Sequence, residues 1–304
     1  QITHFHTDNQ HNIHIKINRM KVLSPSRYIS LFFALVSVVT SVEVRAETQP
    51  VDFGMAFFGK KNIEHIRSEE HFPLSSVMKL FQGVAVLDSV SRAGLSLDMG
   101  IKVSPEDLKA DTWSPMRDAY PEGTTLPLAE IIRYSIQESD NNACDILFSR
   151  FYSPARLTAW LKDKEFDDIE IKYTEDEMHR DPSLAYGNIG SPFSTAEFLE
   201  SLYNGDLLDS SMTEWMTKTL EECNTGLGRI PAAPYPAGTK IGHKTGTGFE
   251  TDGFLTGIND AAVITLPNGK RYILVVFVRQ SALDTVATDA FISAIAQSAL
   301  QKEL

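Results

Sequence analysis

Phe72-Pro73-Leu74-Ser75-Ser76-Val77-Met78-Lys79-Leu80-Phe81-Gln82-Gly83-Val84-Ala85-Val86-Leu87 holds a single charge in an otherwise uncharged, mostly apolar run. Such a run predicts a buried helix, and a buried ammonium is costly unless something nearby needs it. Ser76 stands three positions before Lys79, and residues at i and i+3 share a helix face. A serine hydroxyl is a weak nucleophile until a base takes its proton, and a desolvated lysine can be that base. Ser76 and Lys79 are therefore a candidate nucleophile and base at the start of a core helix.

The flanking sequence sets this helix in a fold. Residues 51–58 are apolar and aromatic-rich, residues 63–67 alternate, and Gly59-Lys60-Lys61-Asn62 supplies the turn of a β-hairpin. On the other side, Arg92-Ala93-Gly94 is a natural C-terminal stop. Residues 100–126 are rich in Pro, Gly, Asp and Ser and read as loops around Trp113-Ser114-Pro115. Helical patterns follow at 126–134, 141–151, 153–163, 194–203 and 209–221, and the first two flank Ser139-Asp140-Asn141. Residues 173–192 are polar and irregular, a length at which structureless loops usually have a function.

The last third changes to period two. Residues 238–249, 259–266 and 271–280 read as strands, with Pro267-Asn268-Gly269 as a hairpin turn, and a helix covers 284–301. Strands at both ends with helices between them predict a two-lobed α+β fold. One antiparallel sheet is built from both termini and flanked by helices, and an all-helical lobe is inserted into it. The expected bounds are 47–75 with 222–304 for the sheet lobe and 76–221 for the helical lobe.

With 304 residues, 42% of them hydrophobic, the chain can bury a sizeable core as one two-lobed unit. A net charge of -12 argues against nucleic acid or an anionic membrane as partner, so an anion site would need cations of its own. Residues 1–19 are polar and histidine-rich and read as upstream sequence. Met20-Lys21, Arg27, the apolar run 29–39 and Val44-Arg45-Ala46 together read as a signal peptide over 20–46, with the mature chain starting near Glu47. The competing reading is an uncleaved anchor, for which the run is short of the roughly 20 residues of a membrane span. Of the two cysteines, Cys144 sits in an apolar helical pattern, and free thiols are expected rather than a disulfide. No Cys, His and carboxylate cluster has metal-site spacing, because His4, His6, His11 and His14 fall in the upstream segment.

Ser-x-x-Lys alone is a frequent chance match. Two further motifs follow it, Ser139-Asp140-Asn141 before a helix and Lys244-Thr245-Gly246 on a strand, with Thr247-Gly248 next. In this order and spacing they form the signature of class A β-lactamases and penicillin-binding proteins. Over residues 51–301 the chain resembles the class A serine β-lactamases. Phe72-Pro73, Trp113-Ser114-Pro115, Glu175 and Asn259-Asp260 are similar to features of that family. The run from Ser139 to Asp145, Glu175-Asp176-Glu177-Met178-His179 and His243-Lys244-Thr245-Gly246-Thr247-Gly248 is similar to the branch of the CepA, CfxA, PER and VEB enzymes, mostly cephalosporinases.

The resemblance implies a role for each residue. Ser76 attacks the lactam carbonyl, and the backbone N–H groups of Ser76 and Thr247 form the oxyanion hole. Ser139 relays a proton to the leaving nitrogen. Asn141 binds the substrate's acylamino group, while Lys244 and Thr245, followed by Gly246, bind its carboxylate. Glu175 activates the hydrolytic water, though Asp176 and Glu177 beside it make register decisive. The acylation base, Lys79 or Glu175, is disputed for the family and stays open. His179 is a holder of that water or a structural hydrogen-bonder, and Trp113 a gate to the cleft or ordinary packing. Arg229 could reach back toward the carboxylate.

The implied substrate is a small β-lactam, cephalosporins preferred and penicillins also, for a periplasmic monomer without cofactor, metal or nucleic acid. Ser75 and Gly248 stand where class A carbapenemases carry a disulfide, which argues against carbapenem hydrolysis. Competing activities are a D-Ala-D-Ala carboxypeptidase or transpeptidase and a sensor that acylates and stops. Glu175 and its long segment favour the hydrolase. Only Glu47-Thr48-Gln49-Pro50 precedes the first strand, so the N-terminal helix usual in class A is expected to be missing unless residues 30–45 supply it. Its loss would expose apolar sheet surface and reduce stability.

Overall fold

The computed structural model describes residues 51–60, 63–251 and 254–303. The expected signal peptide and the question of the N-terminal helix lie outside the described residues.

The hairpin expected before Ser76 is present as β1 (Asp52–Phe58) and β2 (Ile63–Ile66), which pair antiparallel. Short strands β3 (Phe72–Pro73), β4 (Gly100–Val103), β5 (Thr124–Pro127) and β6 (Ile189–Gly190) pair as β3 with β6 and β4 with β5. The C-terminal strands are β7 (Lys240–Thr247), β8 (Glu250–Thr251), β9 (Phe254–Thr265) and β10 (Arg271–Ser281). Among the described residues the main sheet runs β2-β1-β10-β9-β7 with β8 added to β9, all antiparallel. The first strand of the region thus lies beside the last, in register Met55↔Val276.

Period two divides the sheet's side chains between two cores. On β10, Ile273, Val275 and Phe277 join one cluster, while Tyr272, Leu274, Val276 and Val278 join the other. The second cluster is completed by α9 (Thr285–Gln301) through Ile292, Ile295, Ala296 and Ala299. The first continues into the helices α1 (Met78–Arg92), α3 (Leu128–Gln137), α4 (Asn141–Arg150), α5 (Pro154–Asp163), α7 (Pro192–Asn204) and α8 (Ser210–Glu221).

Helix α1 is buried along nearly its whole length because almost every position in it is apolar or small, and Lys79 within it is fully buried. A 3-10 turn at Ser75–Val77 leads into it, and Gly94 in the left-handed region ends it as expected.

Three segments differ from the sequence reading. Residues 100–126 are more than loops: β4 and β5 pair through Ile101↔Leu126 and a short helix α2 (Pro115–Ala119) lies between them. Four-residue strands amid Pro and Gly leave too few alternations to read. Residues 173–192 are not structureless, since they hold α6 (Glu175–Arg180) and a 3-10 segment, Pro182–Gly187. A capping box between Thr174 and Glu177 starts α6, which is too short to display a hydrophobic period. Strand β9 begins at Phe254 rather than 259, extended by its pairing with β8.

Candidate active site

A cleft of about 510 Å³ opens beside β7, with Ser76, Trp113, Ser139, Asn141, Glu175, His179, Thr245 and Thr247 on its walls. Lys79 and Lys244, both fully buried, lie behind this surface.

The candidate nucleophile, Ser76, is set by the backbone before α1. Ser75 takes a left-handed φ of 47°, which turns the chain sharply into Ser76. Asn259 of β9 clamps that turn. Its Nδ2 donates to Pro73 O at 2.7 Å and Leu74 O at 3.1 Å, while its Oδ1 accepts the Val278 N–H at 3.1 Å. Gly246 lets β7 come close, because a Cβ there would lie 2.5 Å from Leu74 O and 3.3 Å from Ser76 N. This is how Gly246 serves the site, by close backbone approach rather than by lining the cleft.

Lys79 is the hub. Its Nζ donates to Ser139 O at 2.7 Å and Asn141 Oδ1 at 2.6 Å, and pairs with Glu175 Oε1 at 2.9 Å. Three acceptors match the three N–H groups of an ammonium, so a fully buried charge is both paired and satisfied. The Ser76 hydroxyl donates to the same Glu175 Oε1 at 3.4 Å, longer than the usual O–H···O contact.

Glu175 opens α6, whose first two N–H groups are received by Asp145 of α4. Asp145 Oδ1 accepts from Glu175 N and Oδ2 from Asp176 N, each at 2.8 Å. Burial, then the charge of Glu175, pushes the Asp145 carboxyl up to about 7. Asn188 fastens both ends of the segment, accepting from Lys172 N and Tyr173 N and donating to Tyr173 O. His179, half-buried one turn after Glu175, faces the cleft.

Across the cleft, Ser139 sits at φ 55° just before the N-cap Asp140, whose carboxylate accepts from Ala143 N, Met116 N and Ser114 Oγ. Lys244 Nζ donates to Ser139 Oγ at 3.0 Å and Thr245 O at 2.9 Å. Burial pushes its ammonium down to about 8. Thr245 Oγ1 is 2.7 Å from Thr225 Oγ1. Asn141 is engaged at both ends, since its Nδ2 also donates to Thr112 Oγ1 at 2.7 Å. Trp113 is exposed, with its indole N–H donating to Glu138 O, so it stands at the cleft rather than in the core.

Arg229 lies behind β7, not in the cleft. Its guanidinium is buried and donates to Asp289 Oδ1, Gly246 O, Asn259 O and, at 2.6 Å, Thr247 Oγ1. It addresses the cleft through the Thr247 hydroxyl.

Sequence reasoning missed Thr112, Asp145, Asn188 and Thr225 and gave Asn259 no role. Asp145 alone left a signal, four residues after Asn141 and so on the same helix face. The others act through contacts distant in sequence. Both cysteines are free and buried.

The chain matches the model of the β-lactamase enzyme family over residues 42–302. It is 34% identical to β-lactamase VEB-1 of Pseudomonas aeruginosa over 280 residues, covering 88% of this chain and 93% of that protein. It is 32% identical to the extended-spectrum β-lactamase PER-1 of the same organism, covering 83% and 82%. A representative class A β-lactamase structure from Bacteroides cellulosilyticus DSM 14838 superposes with a TM-score of 0.79 at 28% identity, covering 91% of this chain and 99% of that one. The chain belongs to the β-lactamase enzyme family, as a class A member.

Proposed function

We propose that this β-lactam hydrolase works through an acyl-enzyme on Ser76, with cephalosporins as preferred substrates and penicillins also accepted. The observation that carries the reading is the convergence of Ser76 Oγ, Lys79 Nζ and Glu175 Oε1, with the carboxylate 3.4 Å from the hydroxyl and 2.9 Å from the ammonium.

Ser76 Oγ attacks the lactam carbonyl as its proton passes to Glu175. What favours Glu175 over Lys79 as acceptor is that the three N–H groups of Lys79 already have acceptors. Lys79 then stabilises the carboxylate and orients Asn141. Negative charge on the carbonyl oxygen is received by the backbone N–H groups of Ser76 and Thr247. Ser139 protonates the departing nitrogen, replenished from Lys244 at 3.0 Å. Lys244 and the Thr245 hydroxyl hold the substrate's carboxylate, and Arg229 orients the Thr247 hydroxyl beside it. The second N–H of the Asn141 amide donates to the acylamino carbonyl, and Trp113 borders the entrance. Glu175 then gives up the serine proton, which balances the one delivered through Ser139 and restores the charge of Lys244. In the second half-reaction the freed carboxylate takes a proton from a water that attacks the ester and returns it to the departing Ser76 Oγ, with His179 beside it.

No helix among the described residues is long and apolar enough to cross a membrane. The segment 20–46 is proposed as an export signal that delivers a periplasmic monomer. Nitrocefin and a penicillin, presented to the purified protein, test the reading. Many turnovers per enzyme, with a higher kcat/KM on the cephalosporin, are expected. A single stoichiometric burst would overturn hydrolysis through Ser76 and leave a protein that acylates and stops.

A further inference from the structure

Charge is spread unevenly over the cleft. Among the described residues its walls carry two carboxylates, Asp111 and Glu175, and neither a lysine nor an arginine. The cations that serve the site, Lys79 and Lys244, are fully buried behind it. Glu175 is paired with Lys79. Asp111 is exposed, and among the described residues its carboxylate has neither a hydrogen bond nor an ion pair.

The loop that presents Asp111 is nevertheless held firmly. Arg117 of α2 donates from Nη1 to the carbonyls of Lys109, Ala110 and Thr112 at 2.8, 2.6 and 2.8 Å. Asn142 of α4 accepts from Lys109 N at 3.1 Å and donates to Lys109 O at 3.2 Å. Beyond Asp111, the Asn141 N–H donates to Trp113 O at 3.0 Å. The Trp113 ring is oriented although 62% exposed, because its Nε1 donates to Glu138 O at 2.9 Å. An unpaired carboxylate and a fixed, open indole two residues apart both attract a cation, one by charge and the other by its ring quadrupole. The two cations nearest in sequence are engaged elsewhere, Lys109 Nζ with Glu106 O and the remaining donors of Arg117 with Asp118.

This corner adjoins the acylamino end of the cleft. Thr112, between Asp111 and Trp113, accepts one N–H of the Asn141 amide at 2.7 Å, and the other is the one assigned above to the acylamino carbonyl. The substrate's carboxylate is assigned to a different element, β7, through Lys244 and Thr245. We propose that Asp111 and Trp113 form a cation subsite that selects β-lactams whose acylamino side chain bears a positive charge next to its carbonyl, as an α-ammonium group does. The proposal rests on the reading of this cleft as a β-lactam site. It applies to penicillin and cephalosporin nuclei alike, because both carry the acylamino group. Both recognition groups are open to solvent, so each contributes about twofold to fivefold to selection.

Ampicillin and benzylpenicillin differ only in that α-ammonium group and serve as the probe pair. Their kcat/KM values are measured on the purified full chain at about pH 6.5, below the range of an α-amino group. Comparing the ratio of the two between proteins cancels the intrinsic reactivity of the substrates. The ratio should fall about twofold to fivefold in Asp111→Asn and by a similar factor in Trp113→Leu, while Trp113→Phe keeps a ring face and most of the ratio. Added salt should shrink the wild-type ratio and leave that of Asp111→Asn level. Asp111→Lys should turn the preference toward carbenicillin, whose side chain bears an α-carboxylate. Equal ratios in wild type and Asp111→Asn, or no reversal in Asp111→Lys, overturn the subsite. An unchanged ratio in Trp113→Leu overturns the part of the indole. Wild type that is acylated by both penicillins and turns over neither overturns hydrolysis instead, and the same ratio is then read from acylation rates in intact-mass spectra. Absence of any acyl-enzyme overturns both.

Discussion

Asp145 receives the backbone N–H of Glu175 at 2.8 Å and with its second oxygen that of Asp176, so one side chain from α4 fixes the first turn of α6. Those N–H groups are among the four that any helix start leaves without an internal partner. Asp145→Ala strands both, at about 1–3 kcal/mol for each orphaned group, and frees the carboxylate of Glu175 to wander. The expected result is faster amide hydrogen exchange across 173–187 and a fall in kcat of about tenfold or more. Unchanged exchange and kcat would show that α6 is held by Asn188 and its capping box alone.

The same carboxyl makes stability depend on pH with a definite sign. Its native value, raised to about 7 by burial and by Glu175, lies above its ordinary one. The native state therefore binds this proton more tightly than the unfolded chain between about pH 4 and 7, and the stability it contributes is lost as pH rises through 7. Relative to Asp145→Asn, the wild type should lose thermal midpoint over that window. A constant difference between the two proteins from pH 4 to 8 would contradict the assignment.

Lys244 governs the alkaline side. Burial lowers its ammonium to about 8, so the charge proposed to anchor the substrate's carboxylate fades above that pH. KM for an anionic β-lactam should rise with an apparent midpoint near 8. Lys244→Arg, whose guanidinium stays charged, should remove this limb while lowering kcat through a misfitted contact to Ser139. A limb that survives the arginine substitution would assign the titration elsewhere.

Gly246→Ala tests the close approach of β7 to Ser76. Its Cβ would meet backbone, Leu74 O at 2.5 Å, with no flexible side chain to give way. Either the strand or the turn at Ser75 must move, and a shift of about 1 Å at Ser76 can cost about a hundredfold in kcat/KM. The loss should fall on acylation, visible as slower formation of the acyl-enzyme in stopped flow at unchanged deacylation rate.

How much of this could be read beforehand follows from what local sequence encodes. The hairpin, α1 and the three C-terminal strands were legible because their apolar periods run long enough to separate 3.6 from 2. Three short motifs single out Ser76, Lys79, Ser139 and Lys244 by chemical identity without geometry, and the fold brings these four together at one cleft. The pairing of β4 with β5 and the short helix at Glu175 were not, since each is held by contacts such as Ile101↔Leu126 or Asp145 to Glu175 N that no short window contains. Arg229 shows the limit from the other side. Its residue type suited an anion, but Asp289 and two strand carbonyls hold the guanidinium behind β7.

Glu175→Ala separates the two half-reactions. Glu175 is the acceptor nearest to Ser76 Oγ and the partner of Lys79, so its removal affects both steps unequally. In acylation, Lys79 loses its carboxylate counter-charge, so its buried ammonium gives up a proton more readily and the neutral amine can take the serine proton, which leaves a slower but open route. In deacylation the carboxylate that takes the proton from water is gone, and loss of a general base costs about 10²–10⁴-fold. The variant should therefore accumulate enzyme heavier by the mass of the opened β-lactam, persisting in intact-mass spectra while wild type shows none. Turnover at the wild-type rate would remove Glu175 from the water-activating role and shift attention to His179.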